Sequence, residues 1–583
     1  MDKTLCNDLQ EFIALLENKG ELIRIKDEIS LDLEISKITD AESKKPNGGK
    51  ALLFEKVKES PFPVATNLFG SDLRMSLALN VSSLAQAGDE IDKLVKIKPP
   101  KSLGQMFSLA KDFFPLLKIL PKKRVKKAPC QEVIAQGDDI NLEEIPVLKC
   151  WSGDGGRFIT LPLVFTKNID ETEHNLGMYR LQVFDKKTTG MHWHIHKDSA
   201  HFYNQYKAQK KRMPVAVAIG ADPATIYSAT APLPRGIDEL LLSAFFRKSP
   251  VKMVKCISQD LEVPANAEFV LEGYVEPDEL RMEGPFGDHT GYYSLADYYP
   301  VFHLTAITRK AKPIYCATLV GPPPMEDCYM AKATERVFLP LLRAVFPEIK
   351  EMFLPWEGVF HNIVIISIKK EFPAHAQKLM NAVWGQGQMG FCKTVVVIDE
   401  DCDPSDLGLI WDKLLNNFDI DSDILHNYGI LDVLDHSSPE AMRGNKLGID
   451  LTNRLDCESP RKALNFDDSC DISSIKAEFP YIKNININKS FCGISLTKGE
   501  LAGKDILKAL IDTKVFDNIR AIAIFDDNID VKDNSKMLWK VFNNVDPKRD
   551  IIFNNSKNIY IDACKKTKAD GHLREWPDEL NFD

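Results

Sequence analysis

Carboxylates, imidazoles and a guanidinium crowd into two short stretches of this chain. The denser is Glu283-Gly284-Pro285-Phe286-Gly287-Asp288-His289-Thr290-Gly291-Tyr292-Tyr293, where three glycines and a proline hold two carboxyl groups five residues apart. That arrangement suits proton transfer if burial draws the carboxyls out of water and raises their pKa values. A plain turn, rich in Gly, Pro and Asp, is the alternative reading of the same residues. In the second stretch five of the twelve histidines fall between His174 and His201, and His192, His194 and His196 alternate with Trp193 and Ile195. On a strand these three rings share one face, in pairs about 7 Å apart. Imidazole is a common metal ligand, but that spacing favours one histidine ligand, with the others packing or touching a cofactor, over a three-histidine zinc site. Just upstream, Asn175 offers a neutral oxygen ligand and Arg180 a forked receptor for carboxylates. Five residues apart on a regular strand, the two point to opposite faces, so a shared centre requires a bulge at Gly177 or a site that wraps around the strand. Two further loops, Ser152-Gly153-Asp154-Gly155-Gly156-Arg157 and Gly321-Pro322-Pro323-Pro324-Met325, fit neither GxGxxG nor the P-loop and are read as structural.

The elements that must position these groups follow from hydrophobic period and punctuation. Leu9, Phe12, Ile13, Leu15 and Leu16 predict a helix over 5–18, ended by Lys19-Gly20 and followed by a strand over 21–25. The Lys-rich run 122–127, flanked by Pro121 and Pro129, predicts an exposed connector. Short β-rich runs follow to about residue 320, among them 158–165, 215–219 and 301–307. Beyond, strands and helices alternate: a strand over 363–368, a helix over 374–384 and a strand over 394–398. This pattern recurs 127 or 128 residues later, Val396-Val397-Ile398-Asp399 matching Ala523-Ile524-Phe525-Asp526 and Leu409-Ile410-Trp411 matching Met537-Leu538-Trp539. A β-α-β-α-β unit is therefore expected twice. The acidic residues after its strands are read as helix caps in preference to Mg²⁺ ligands.

The chain has 583 residues, too many for a single core, and its composition, 44% hydrophobic and 27% charged, is that of a folded protein. A net charge of −10 argues against nucleic acid as the main partner. Twelve cysteines without a CxxC pair suggest neither a zinc ribbon nor a disulfide framework. The N-terminal residues lack a basic region followed by an apolar run, and the most lipophilic stretch, 106–120, is interrupted by charges, so a cytoplasmic protein without a membrane span is expected.

Glu283–Tyr293, Val254–Pro264, Ala218–Pro223 and Asn175–Arg180 together resemble UbiD-type decarboxylases, over roughly residues 5–460 and in order. The resemblance implies a multidomain α/β fold: an N-terminal α/β domain (1–125), a central split β-barrel of the flavin-reductase type that binds the cofactor (126–320), a C-terminal α/β oligomerisation domain (321–465) and an extension (466–583) carrying the second repeat copy. It also implies non-oxidative decarboxylation of an aromatic acid on prenylated FMN, supplied by a flavin prenyltransferase partner, with Mn²⁺ and often K⁺, in a homo-oligomer (dimer or hexamer). Carried over by position, the metal ligands fall on Asn175, His196 and Glu239, and the catalytic set on Arg180, Glu283 and Asp288. Met178, Tyr179, Arg180, His192, Trp193, His194, Lys197 and Asp198 line the cofactor, with Lys446 as a phosphate contact. From the sequence alone Glu239 reads as a first-turn helix glutamate, so its metal role rests on the resemblance. The extension past about residue 470 and the His-rich segment 190–197 resemble the menaquinone-pathway branch, whose acid is 1,4-dihydroxy-6-naphthoate. The 4-hydroxy-3-polyprenylbenzoate decarboxylases of ubiquinone synthesis are the alternative. A metal-dependent hydrolase and a non-catalytic scaffold are the readings from other classes.

Overall fold

A computed structural model of the protein describes residues 5–96, 122–194, 198–233 and 235–583. The lipophilic stretch 106–120, His196 and Lys197 lie outside the described residues. The chain forms two compact units, one running to Val337 and taking in Asp578–Asp583, the other Phe338–Pro577.

In the first unit the opening helix is Leu9–Asn18. It starts later than its apolar period because the Asp8 side chain accepts from the Glu11 amide and so caps it. Leu9, Phe12, Ile13 and Leu16 are its buried face. The following strand, Leu22–Ile29, pairs in parallel with Ala51–Val57 in a four-stranded sheet completed by Val64–Thr66 and Tyr315–Cys316.

The main sheet of this unit has seven strands. Thr188–Gly190, Asp297–Arg309, Phe269–Glu283, Met213–Ile219, Pro162–Lys167 and His174–Gly177 lie in that order, and Val133–Gln136 also pairs with Asp297–Arg309. The expected barrel is not closed: among the described residues no ladder joins Thr188–Gly190 to His174–Gly177 at the other edge. The unbroken run of fully buried apolar residues explains the centre of this sheet, since Val215–Ile219 is covered on both faces. Its longest hairpin pairs Phe269–Glu283 with Asp297–Arg309, register shifting between Val275 and Leu280, and it carries Glu283 to the tip opposite Asp297.

The Lys-rich connector is ordered. Lys122–Arg124 pairs in parallel with Val251–Lys255, and Glu262 holds both Lys122, at 3.6 Å, and Arg124. A carboxylate on the neighbouring strand compensates the charge that made this run look solvated.

The second unit contains two five-stranded sheets of identical topology. Ile349–Phe353, Ile363–Ile368, Thr394–Asp399, Arg443–Asp450 and Ile424–Ile430 form one; Ile482–Asn488, Phe491–Leu496, Ala521–Asp526, Asn558–Asp562 and Ile551–Asn554 form the other. Each has two parallel pairings in the middle and an antiparallel strand at each edge. Ile363, Val396 and Phe418 of the first share a buried apolar cluster with Ala521 and Ile559 of the second. Helix capping falls on Asp406 and Asp533 rather than on the strand-end acids, of which Asp399 pairs with Lys413 at 2.8 Å. No described helix is long and apolar enough to cross a membrane.

Candidate active site

Between Asn175 and Arg180 the chain leaves one sheet for another. The strand His174–Gly177 ends at Gly177, and Leu181–Gln182 then pairs with Phe158–Ile159 in a separate two-stranded sheet. Gly177 is needed for a different reason: a Cβ there would lie 2.3 Å from the hydroxyl of Tyr179, whose ring folds back over it. The Tyr179 hydroxyl donates to Asn175 Oδ1 at 3.1 Å, and Ser199 Oγ donates to the same atom at 2.7 Å.

His192 and His194 do not lie on a strand. The strand ends at Gly190, the Trp193 amide turns back to the Met191 carbonyl at 2.8 Å, and the His192 amide donates to the Arg180 carbonyl at 3.3 Å. A local turn therefore overrides the alternation, leaving the His192 and His194 rings 5.4 Å apart and tilted by 60°.

At the centre is Arg180, almost wholly buried. Its Nε and Nη2 donate to Glu283 Oε1 at 3.0 and 2.8 Å, Nη2 also to Ser294 Oγ at 2.9 Å, and Nη1 to Asp288 Oδ2 at 2.6 Å. The guanidinium lies over the Phe286 ring at 4.6 Å. One cation thus joins the two carboxyls that the sequence places five residues apart. His192 Nδ1 lies 2.9 Å from Glu283 Oε1, and His289 Nδ1 lies 2.9 Å from Asp288 Oδ1, which also accepts the His289 amide at 2.8 Å.

The electrostatics correct one expectation. Burial pushes both carboxyls up, but for Glu283 the charge of Arg180 and the His192 hydrogen bond prevail, and for Asp288 the contacts with His289 and Arg180 do. Both pKa values therefore end below their ordinary ones. Burial and the Arg180 charge push His192 down. A neutral His192 facing an ionised Glu283 carries its proton on Nδ1 and presents Nε2 as an acceptor. Glu283 is 1% exposed, and its Oε2 has no hydrogen-bond partner among the described residues.

Glu239 opens the helix Glu239–Arg247, capped by Asp238, but its side chain turns inward. It accepts from Asn175 Nδ2 at 3.2 Å and from the Leu176 amide at 2.9 Å. Burial raises its pKa to about 7, only partly offset by the Leu176 amide. Among the described residues no cation faces this buried carboxyl, whose oxygens are ligands of the kind a hard divalent ion takes; Asn175 turns its nitrogen to Glu239 and its Oδ1 to the Tyr179 and Ser199 hydroxyls. For a flavin, the buried Trp193 Nε1 has no partner among the described residues. The Trp193 ring lies 5.6 Å from that of Tyr203, His192 and His194 flank it in sequence, and the next helix starts at Asp198, paired with Arg235 at 2.8 Å. Met178 is fixed beside Tyr179 by its amide, which donates to the Ala229 carbonyl at 3.0 Å. Lys446 belongs to the second unit, 2% exposed, with Nζ donating to the Gly390 and Cys392 carbonyls at 2.6 and 2.9 Å.

Sequence reasoning passed over Asp154. Its carboxylate accepts from the amides of Cys150, Trp151 and Gly287 at 3.0, 2.9 and 2.7 Å, tying the Ser152–Arg157 loop to the loop that carries Asp288. Gly155 and Gly284 pass back to back, a Cβ on either falling within 2.6 Å of the other's Cα. A lone Asp among glycines was the available signal.

Comparison with known proteins agrees with this geometry. The chain matches the N-terminal domain of 3-octaprenyl-4-hydroxybenzoate carboxy-lyase over 13–94, the Rift-related domain over 122–323 and the C-terminal domain over 328–451 and 472–572. It is 49% identical over 455 residues to an uncharacterised protein of Archaeoglobus fulgidus, covering 77% of this chain and 92% of that one. To an uncharacterised protein of Helicobacter pylori it is 40% identical over 594 residues, covering 98% and 94%. Among solved structures, vanillic acid decarboxylase of Sedimentibacter hydroxybenzoicus in its closed form aligns with a TM-score of 0.70 and 27% identity, over 82% of this chain and 98% of that one. An evolved dimeric form of the UbiD-class enzyme HmfF from Pelotomaculum thermopropionicum, in complex with prenylated FMN, aligns with a TM-score of 0.64 and 25% identity, over 81% and 100%. With all three family domains matched and Arg180, Glu283 and Asp288 joined inside the central one, the chain belongs to the UbiD family and is a carboxy-lyase.

Proposed function

We propose that this enzyme removes CO₂ non-oxidatively from an aromatic carboxylic acid on prenylated FMN, and that its acid is 1,4-dihydroxy-6-naphthoate. The observation that carries the reaction is the Arg180 clamp on Glu283 and Asp288. The reaction breaks one C–C bond, leaves the electron pair on the ring carbon, releases CO₂ and takes up one proton there. When bound, the modified flavin supplies the electron sink that no side chain offers. Asn175, His196 and Glu239 would hold Mn²⁺, and Met178, Tyr179, His192, Trp193, His194, Lys197 and Asp198 would line the flavin.

The chain's own groups then have distinct tasks. Arg180 is the receptor for the substrate carboxylate, by the same fork that now grips Glu283 and Asp288. As the carboxylate draws on Arg180, the two acids lose part of the charge that keeps them ionised, and burial raises their pKa values. Glu283 is sealed, whereas the Asp288 side chain is 13% exposed and paired with His289. Asp288 therefore takes the proton from solvent and delivers it to the carbon, while Glu283 and His192 hold the guanidinium in place.

The choice of acid rests on the resemblance of the extension past about residue 470 and of the His-rich segment 190–197 to the menaquinone-pathway branch. The family's C-terminal domain also matches within that extension, over 472–572. The matched family description favours 4-hydroxy-3-polyprenylbenzoate as the second reading. The test is co-expression with a flavin prenyltransferase, an absorption spectrum and CO₂ release from both acids. Bound flavin with release from the naphthoate is the expected result. Release from the benzoate alone installs the second reading, and neither flavin nor turnover removes the proposal.

A further inference from the structure

The loop that carries Asp288 is held from outside by the last residues of the chain. After the second unit ends at Pro577, residues 578–583 belong to the first unit. They pair with the catalytic loop as a short antiparallel bridge: the Tyr293 amide donates to the Asp578 carbonyl at 3.0 Å, and the Leu580 amide donates to the Gly291 carbonyl at 3.0 Å. Asn581 then takes both donors of Ser152, its carbonyl accepting the amide at 3.4 Å and the hydroxyl at 3.0 Å, with a further bond from the hydroxyl to Asn581 Oδ1 at 2.9 Å. Phe582 stacks on the buried Trp151 with ring centroids 4.3 Å apart and planes 24° apart.

Trp151 is the far wall of the catalytic loop. A Cβ on Gly287 would fall 2.1 Å from Trp151 Cδ1, so the backbone just before Asp288 lies against the indole edge. Next to Cδ1 on the same edge, the indole Nε1 donates to the Val320 carbonyl at 2.9 Å, which fixes the ring. The contacts run unbroken from Phe582 through Trp151 and Gly287 to Asp288 and Arg180. Without the six residues, Gly291–Tyr293 loses its bridge and Trp151 loses one face of its packing.

We propose that Asp578–Asp583 is a positioning strap, which fixes the Glu283–Tyr293 loop and thereby seats the Asp288 carboxylate on Arg180. This rests on the reading of Arg180, Glu283 and Asp288 as the catalytic set. The contacts described act through Trp151 and the loop backbone.

The test uses full-length enzyme loaded with prenylated flavin, comparing wild type with Phe582→Ala and Phe582→Tyr. In Phe582→Ala, amide hydrogen exchange at Gly287–Tyr293 is expected to quicken about tenfold or more while the Leu22–Ile29 and Met213–Ile219 strands keep their rates. Its kcat for the acid is expected to fall about tenfold to a hundredfold, with KM and the bound-flavin spectrum near those of wild type. Phe582→Tyr, which keeps the stacked ring, is expected to restore both. If exchange and kcat in Phe582→Ala match an active wild type, or if all strands loosen together with the loop, the strap proposal is overturned. If wild type itself turns over no acid, the catalytic reading fails instead, and the exchange comparison still decides whether the strap orders the loop.

Discussion

A single guanidinium holds apart two carboxylates that would otherwise repel, and its removal exposes what each contributes. Arg180→Ala leaves Glu283 and Asp288 buried without their cation, which is expected to cost about 3–5 kcal/mol of stability at neutral pH. The pH dependence gives a sharper signature. In the wild type both acids lie below their ordinary values of 4.5 and 3.8 when folded, so their contribution is present in full above about pH 4.5 and is lost as pH falls through the folded values. In Arg180→Ala only the His192 hydrogen bond is left to oppose burial at Glu283, while His289 still holds Asp288 down; the folded pKa of Glu283 rises, and stability is expected to increase as pH is lowered from 7 to 5. Urea midpoints at the two pH values separate these slopes. Glu283→Gln and Asp288→Asn keep the shape of the cluster, and each is expected to lower CO₂ release by about 10²-fold or more without loss of the flavin spectrum. Near-normal turnover in both would remove the assignment.

Loops rather than strands give this site its shape. The close passage of Gly155 and Gly284 leaves no room for a side chain, so Gly284→Ala is expected to displace the catalytic loop and reduce kcat by about tenfold or more, read against an unchanged flavin occupancy. The glycines and proline of 283–293 announced a tight turn, and the repeat after residue 363 announced two like sheets, because both are written in local pattern. The histidine run misled because alternation predicts a strand only where the backbone stays paired, and at Met191 it leaves the ladder. The expected rise in the carboxyl pKa values assumed burial alone; that Arg180 would reach both acids depended on a change of sheet between Gly177 and Leu181, which no residue spacing records. Asp154 escaped notice for the same reason, its three amide partners being assembled from two loops more than a hundred residues apart.

In the Phe338–Pro577 unit the duplicated sheets are locked by Arg520, fully buried, which donates to the carbonyls of Leu414 at 3.2 Å, Phe418 at 2.8 Å and Lys557, with Phe418 and Phe466 against its guanidinium. Arg520→Ala strands those carbonyls and is expected to lower the denaturation midpoint of the full chain, by about 2–4 kcal/mol, while leaving the Arg180 cluster's turnover intact below the new midpoint. The order of the chain carries its own consequence. Residues 338–577 are threaded between the body of the first unit and the six residues that complete it. In order of synthesis, residues 578–583 follow the whole of 338–577, so a product terminated before Asp578 lacks the strap even when Arg180, Glu283 and Asp288 are all present.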